Sequence, residues 1–258
     1  MTRIFLICSG AILLYMTCWF LAAQIRGRND IADVAWGLGF ILVAAASLVS
    51  AGVYSARGLL VSGLVLVWGV RLALHIHSRN RGRGEDPRYR KWREEWGKWF
   101  VLRSFLQVFM LQGVLLLMVA APVMFANQAP PAPLGRLDLI GLIVWLYGFG
   151  FEVIGDWQLR AFIRNPANKG KLMTRGLWRY TRHPNYFGEV TLWWGIWLIT
   201  LAVPGGWMTV IGPLTLTFLI LKVSGIPMLE KPYEDRVDFQ EYKRRTSAFF
   251  PLPPARGA

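Results

Sequence analysis

The sequence predicts an all-α, polytopic membrane protein of seven transmembrane helices, and three observations carry that prediction. The mean hydropathy is +0.37, and 54% of the 258 residues are apolar, with 13 tryptophans among them; a water-soluble globule of this length cannot hide that much apolar surface. Uncharged apolar runs of about 18 or more residues read as membrane spans, and Ile4 to Ile25 and Phe105 to Met124 are two of them. Basic residues crowd into alternate connections. The runs are too long and too continuously apolar for barrel strands, which leaves helices as the way to satisfy the backbone in lipid.

Window hydrophobicity and breaker residues place the helices at residues 4–25, 31–50, 58–77, 104–125, 137–160, 185–203 and 207–227. The first runs straight into Gln24-Ile25-Arg26 without a small-residue cleavage site, so it is expected to be a retained helix. Ser104 and Gln107 form a capping-box pattern at the start of the fourth. Pro184 suits the first turn of the sixth, because its missing amide hydrogen and preset dihedral cost nothing there. Cys8 and Cys18 lie on the first helix, about 15 Å apart at the helical rise, too far for a disulfide.

Of the 29 Lys and Arg residues, 25 fall on one side of this arrangement, and Arg3, Arg57 and Arg136 on the other. Short loops rich in Lys and Arg stay in the cytoplasm. The expected orientation is therefore N-terminus outside and C-terminus cytoplasmic. No internal repeat or low-complexity segment divides the chain, so residues 1–258 read as a single domain with cytoplasmic connections at about 78–103, 161–185 and 228–258.

Ionisable side chains within spans cost several kcal/mol and mark functional sites by default. Asp33 starts the second helix, Arg71, His75 and His77 sit late in the third, Glu152 and Asp156 lie in the fifth and Glu189 in the sixth. All lie toward the ends expected at the cytoplasmic face, which suggests a polar chamber open to that side. Snorkelling to the interface is the plainer explanation for any single one of them. Three histidines and no Glu-x-x-His pair argue against a metal site. Gly-x-Gly-x-x-Gly, P-loop and Gly-x-Ser-x-Gly patterns are absent. The net charge of +14 follows mostly from topology, so no nucleic-acid partner is expected; the density of Arg in two loops and the tail fits a small polyanion. The free amides and dipole of helix six add to that site where Arg179, Arg182 and His183 collect charge.

The most specific stretch is Gly176 to Glu189, G-L-W-R-Y-T-R-H-P-N-Y-F-G-E. With Glu152 and Asp156 upstream, N-R-G-R-G-E-D-P-R-Y at Asn80 to Tyr89, S-G-I-P-M-L-E, and the ending E-Y-K-R-R-T-S-A-F-F-P, the chain resembles the steroid 5-alpha-reductase family, its bacterial branch most closely, from about Arg26 to Pro251. The His-Pro core alone is shared with isoprenylcysteine carboxyl methyltransferases and sterol reductases, so the loop and tail motifs are the more specific part.

The resemblance implies an integral membrane enzyme of the bacterial inner membrane or endoplasmic reticulum. It would take NADPH from the cytoplasm and reduce a carbon-carbon double bond conjugated to a ketone in a lipid-soluble, steroid-like substrate. It places Asn80, Arg83, Asp86, Tyr89, Asp156, Tyr180, His183, Asn185 and Glu189 at the cofactor. Arg71, Arg79, Glu152, Arg164, Lys171 and Arg182 join them, and the guanidinium forks of Arg79, Arg164 and Arg182 suit the phosphates. Asp33 is expected as the acid that polarises the ketone, a carboxyl kept neutral by an apolar site. Relatives carry a Tyr on the next helix, a position that falls near Trp68 here, so the indole is the expected second donor. Two alternatives stand beside this. One is an S-adenosylmethionine-dependent methyltransferase acting on a lipid carboxylate, against which the arginine density argues. The other is a non-enzymatic lipid- or haem-handling protein.

Overall fold

The computed structural model describes residues 2–82 and 84–255, and among these all extended regular structure is helical, with one isolated bridge between Thr181 and Ser247. Six helical stretches are long and apolar enough to cross a membrane: Thr2–Arg26, Ala32–Ala51, Ala56–Asn80, Pro87–Val119, Arg136–Arg164 and Gly206–Tyr233. The seventh expected span, 185–203, is a helix of 17 residues, Pro184–Thr200. At the helical rise it is about 25 Å long, at the lower limit of the ~17 to 25 residues of membrane-spanning helices. Pro184 opens it, and Thr200 gives way to turns around Pro204 and Gly205. The chain forms two compact units, Met1–Gly135 with Ile199–Gly212, and Arg136–Leu198 with Pro213–Ala258.

The first unit begins with α1 (Thr2–Arg26), α2 (Ala32–Ala51) and α3 (Ala56–Asn80). Gly37 on α2 and Gly69 on α3 let these two backbones meet: a Cβ on Gly69 would stand 2.7 Å from the Gly37 carbonyl oxygen. Without a hydrophobic drive between helices in lipid, such close approach is a main source of packing energy. Beside the crossing, Trp68 and Phe40 pack edge to face at 5.4 Å, both essentially inaccessible. At the far end of these helices, buried Asn127 donates to Ser47 Oγ at 2.7 Å and the Ala44 carbonyl at 3.0 Å, and accepts from Ser62.

The fourth helix starts earlier than the Ser104 capping box suggests. Asp86 caps α4 (Pro87–Trp96), its Oδ1 accepting from the Arg88 amide at 2.9 Å with Pro87 in the first turn. Helical backbone then continues through α5 (Phe100–Arg103), a π-helical turn at Ser104–Met110, α6 (Leu111–Val119) and α7 (Ala121–Asn127). Ser104 is therefore interior to the helix, and its hydroxyl serves a different partner: it accepts from Asn29 Nδ2 at 2.8 Å.

The second unit is organised by α8 (Arg136–Arg164) and α9 (Pro184–Thr200). Gly141, Gly148 and Gly155 recur every seven residues on α8 and face Gly188 and Gly195 on α9 and Pro184 at its start. A Cβ at Gly148 would lie 2.5 Å from the Leu192 amide nitrogen, and one at Gly195 would lie 2.7 Å from the Gly141 carbonyl oxygen. The seam brings Glu152 and Asp156 of α8 alongside the first turns of α9. After α10 (Ile211–Phe218) and a π-helical turn, Leu219–Val223, come the short α11 (Ile226–Glu230) and α12 (Val237–Arg245).

Candidate functional site

In the first unit the turn between α1 and α2 is clamped to the segment leading into α4. Glu85 accepts from the Asn29 amide at 2.8 Å and pairs with Arg93 at 3.1 Å, while Arg93 also donates to the Gly27 carbonyl. Arg28 pairs with Asp30 at 2.7 Å. This clamp sets the first turn of α2 against the first turn of α4, and Asp33 and Tyr89 meet there. The Tyr89 hydroxyl donates to Asp33 Oδ1 at 2.9 Å; Arg88 donates to Oδ2 at 3.2 Å, and Arg79 stands 3.9 Å from the same oxygen.

Arg88 ties the cluster together. It also pairs with Asp86, through Nε at 3.0 Å and a terminal nitrogen at 3.1 Å. Partial burial alone pushes the Asp86 carboxyl up, but the Arg88 side chain and amide outweigh it and hold that carboxyl below its ordinary value. Asp33 is thus surrounded by a phenol and two guanidinium groups. The expected second donor is Trp68. Trp68 is inaccessible and packed on Phe40, whereas the hydroxyl beside Asp33 comes from Tyr89, 56 residues along the chain. Arg79 donates to Asn80 Oδ1 at 3.2 Å, which keeps those two expected residues together. Arg71 is half-buried lower on α3. Arg83 lies outside the described residues.

In the second unit the segment before α9 is fastened to α8 and to the C-terminal segment. The Trp178 indole donates to the Gly155 carbonyl at 3.0 Å, and Gln158 accepts from the Leu177 amide. Arg182 and His183 turn inward. Arg182 forms a two-point pair with Glu230, at 2.8 and 3.1 Å, and its remaining terminal nitrogen donates to the carbonyls of Thr246 and Lys243. His183 Nε2 sits 2.9 Å from the same Glu230 Oε1, and its ring stacks on Tyr186. Arg182 and Glu230 are 6% and 9% exposed. With all three guanidinium nitrogens engaged inside the protein, Arg182 does not fit the phosphate role expected of it. His183 is committed to the same carboxylate. Close by, the Tyr242 hydroxyl donates to the Trp178 carbonyl, and burial pushes that phenol above its ordinary value.

The other expected residues of this unit divide in two. Glu152 and Asp156 are buried on the face of α8 toward α9, and Asn185 Nδ2 donates to Asp156 Oδ1 at 3.1 Å. Asn185 Oδ1 is shielded from solvent and has no hydrogen-bond partner. Glu189 follows one turn later on α9 and is half-buried. Arg164, Lys171 and Tyr180 are exposed, as is Arg179. Sequence reasoning passed over Arg88 and Glu230, although both stand inside the motifs it used, E-D-P-R-Y and S-G-I-P-M-L-E. Among the described residues no cluster of three or more His, Cys, Asp or Glu could hold a metal ion.

A family model described as a protein of unknown function (DUF1295) matches residues 19–246. An uncharacterized protein of Schizosaccharomyces pombe, C594.04c, is 26% identical over 167 residues, covering 56% of this chain and 48% of its own length. A protein of Ustilaginoidea virens named probable O-methyltransferase ustE is 32% identical over 101 residues, 38% of this chain and 34% of its own. The chain thus spans about half or less of the length of these curated relatives. No solved structure matches it.

Proposed function

The chain belongs to the DUF1295 family, and we propose that it is an integral membrane reductase, using NADPH to saturate a carbon-carbon double bond conjugated to a ketone in a lipid-soluble substrate. The observation that carries the proposal is the Tyr89 hydroxyl held on Asp33 at 2.9 Å among Arg88 and Arg79. NADPH, when bound, supplies the hydride that the β carbon requires. Tyr89 is the acid: its hydroxyl turns from Asp33 to the ketone oxygen and stabilises the negative charge that develops there. Asp33 positions the phenol, and the two guanidinium groups balance the charge. The α carbon then takes a proton from water.

The cofactor would be held by residues of the second unit. Asn185 Oδ1, a buried acceptor without a partner, suits an amide or hydroxyl donor of a nucleotide. Exposed Arg164, Lys171 and Arg179 suit phosphate. Arg182 and His183 are left out, because Glu230 already holds them. The basic loops that carry these residues face the cytoplasm in the proposal.

A second reading is favoured by one observation, the similarity to the probable O-methyltransferase of Ustilaginoidea virens. In that reading the bundle binds S-adenosylmethionine and methylates a lipid carboxylate. Thermal unfolding of the purified protein with each cofactor separates the two. A ligand at 100 times its dissociation constant stabilises the folded state by about 2.7 kcal/mol. NADPH should raise the transition temperature and S-adenosylmethionine should not; the reverse result overturns the reductase reading.

A further inference from the structure

The first unit contains an apolar cavity of about 700 Å³ between α1, the α6–α7 stretch and the turn at Met208. Its volume is within the range of small-molecule sites, roughly 300 to 1,000 Å³. Five methionines line it, Met16, Met110, Met118, Met124 and Met208, and no lining residue is ionisable. Two of the three polar lining residues are already engaged: the Thr209 hydroxyl donates to the Gly206 carbonyl at 2.7 Å, and Gln128 donates to the Met124 carbonyl at 2.9 Å. The third is the uncharged Ser9, so no charge faces a ligand.

The cavity is also separate from the polar cluster. Its α1 wall runs from Phe5 to Met16, so its near edge stops ten residues before Arg26, about 15 Å along the helix, and Asp33 lies beyond that end of α1. Its construction is specific. Gly113 forms part of the floor, where a Cβ would meet Ile12 at 3.1 Å and Met16 at 3.3 Å. Met110 closes the π-helical turn Ser104–Met110, a rare geometry that recurs at functional sites. At the rim, Leu13 and Val114 are 58% and 55% exposed, so the cavity opens sideways where lipid would surround the helices.

We propose that this cavity binds one flexible hydrocarbon chain, the acyl or isoprenoid part of a lipid entering from the bilayer. Methionine has three rotatable bonds and a polarizable sulfur, so a wall built from it reshapes around a chain that has no fixed form. A rigid fused-ring molecule favours a wall of fixed shape, which five flexible methionines do not provide. The occupant is therefore read by its length and flexibility, with its polar end outside the cavity. This inference does not depend on the reductase proposal, because binding here involves neither NADPH nor turnover.

The test is photolabelling of the full-length protein in lipid nanodiscs with a diazirine-bearing hexadecanol, mapped by peptide mass spectrometry. Label should concentrate on residues 5–16 and 110–124. Excess hexadecanol or geranylgeraniol should reduce it about tenfold, equivalent to ~1.4 kcal/mol, whereas cholestenone, a rigid enone, should leave it unchanged. Leu13→Trp and Val114→Trp fill the cavity from opposite walls at rim positions, and each should abolish the label. Leu74→Trp, at a 61% exposed position on α3 outside the cavity, should not. Size-exclusion profiles matching the parent establish that the variants fold. Label spread evenly over the apolar helix faces and indifferent to both cavity variants would overturn the proposal, as would competition by cholestenone equal to that by hexadecanol.

Discussion

The hydroxyl of Tyr89 points its proton at Oδ1 of Asp33 across 2.9 Å, joining the first turn of α4 to the first turn of α2. Neither residue could hold this geometry alone. The contact depends on the Glu85, Asn29 and Arg93 clamp that fixes both turns, and on Arg88, which bonds Asp33 and Asp86 at once. In the proposed reaction a phenol held this way is handed to the ketone oxygen.

Replacing Tyr89 by Phe removes the acid and keeps the ring that stacks edge-on against Trp92. We predict a fall in kcat of about 10² to 10⁴, the range for a general acid, with the KM for NADPH changed by less than about twofold. Steady-state kinetics on an enone substrate check this. An unchanged kcat would remove Tyr89 from the chemistry.

Asp86 offers a stability test with a pH signature. Asp86→Ala removes the cap of α4 and should cost about 0.5 to 2 kcal/mol. The carboxyl titrates below its ordinary value in the folded protein, so its contribution is present above the unfolded value of about 3.9 and is lost as pH falls through the lower folded value. The difference in transition temperature between parent and variant should therefore be constant from about pH 5 to 7 and shrink below pH 4.

Much of the architecture was legible because hydrophobic run length is a local property. Predicted spans such as 4–25, 31–50 and 58–77 differ from α1, α2 and α3 by three residues or fewer at each end. The start of α4 lies outside the expected span because the stretch Pro87–Trp96 is too charged to read as one, although Tyr89, Trp92 and Trp96 recur at helical spacing and Trp92 stacks on Trp96 at 5.3 Å. The seven-residue glycine spacing on α8 was visible in the letters, but its meaning required the facing glycines of α9. The site divides in the same way. Asp33 stood out as a charge at a helix start. The inward turn of Arg182 did not, because its partner Glu230 is 48 residues away and sequence alone does not say which arginines face a carboxylate.

The Arg182–Glu230 pair predicts a specific pattern of stability. Glu230→Ala leaves a buried guanidinium and His183 without their acceptor, and should destabilise by about 3 to 5 kcal/mol. The double variant Arg182→Met with Glu230→Leu should lose less than the sum of the single variants, since it leaves no buried charge unpaired. Chemical denaturation in detergent measures both. Additive losses would contradict the pairing.

The glycine seam predicts intolerance of even small side chains. Gly148→Ala and Gly195→Ala each place a methyl group within 2.7 Å of the opposing backbone, and overpacking of this kind costs about 1 to 3 kcal/mol or more. Gly150→Ala on the same helix meets nothing within 4 Å and should be neutral or slightly stabilising, because alanine is the better helix former by about 1 kcal/mol. Thermal unfolding of the three variants checks the ordering.

In the proposed reaction hydride passes from NADPH to a lipid-soluble enone with Tyr89 as the acid. The most direct measurement incubates purified protein with NADPH deuterated at the transferable position and a membrane-soluble enone, in parallel with methyl-labelled S-adenosylmethionine, and examines the products by mass spectrometry. The expected result is one deuterium at the β carbon of a saturated ketone, a yield reduced at least about 100-fold in Tyr89→Phe, and no labelled methyl ester. A methylated product with no deuterium incorporation would contradict it.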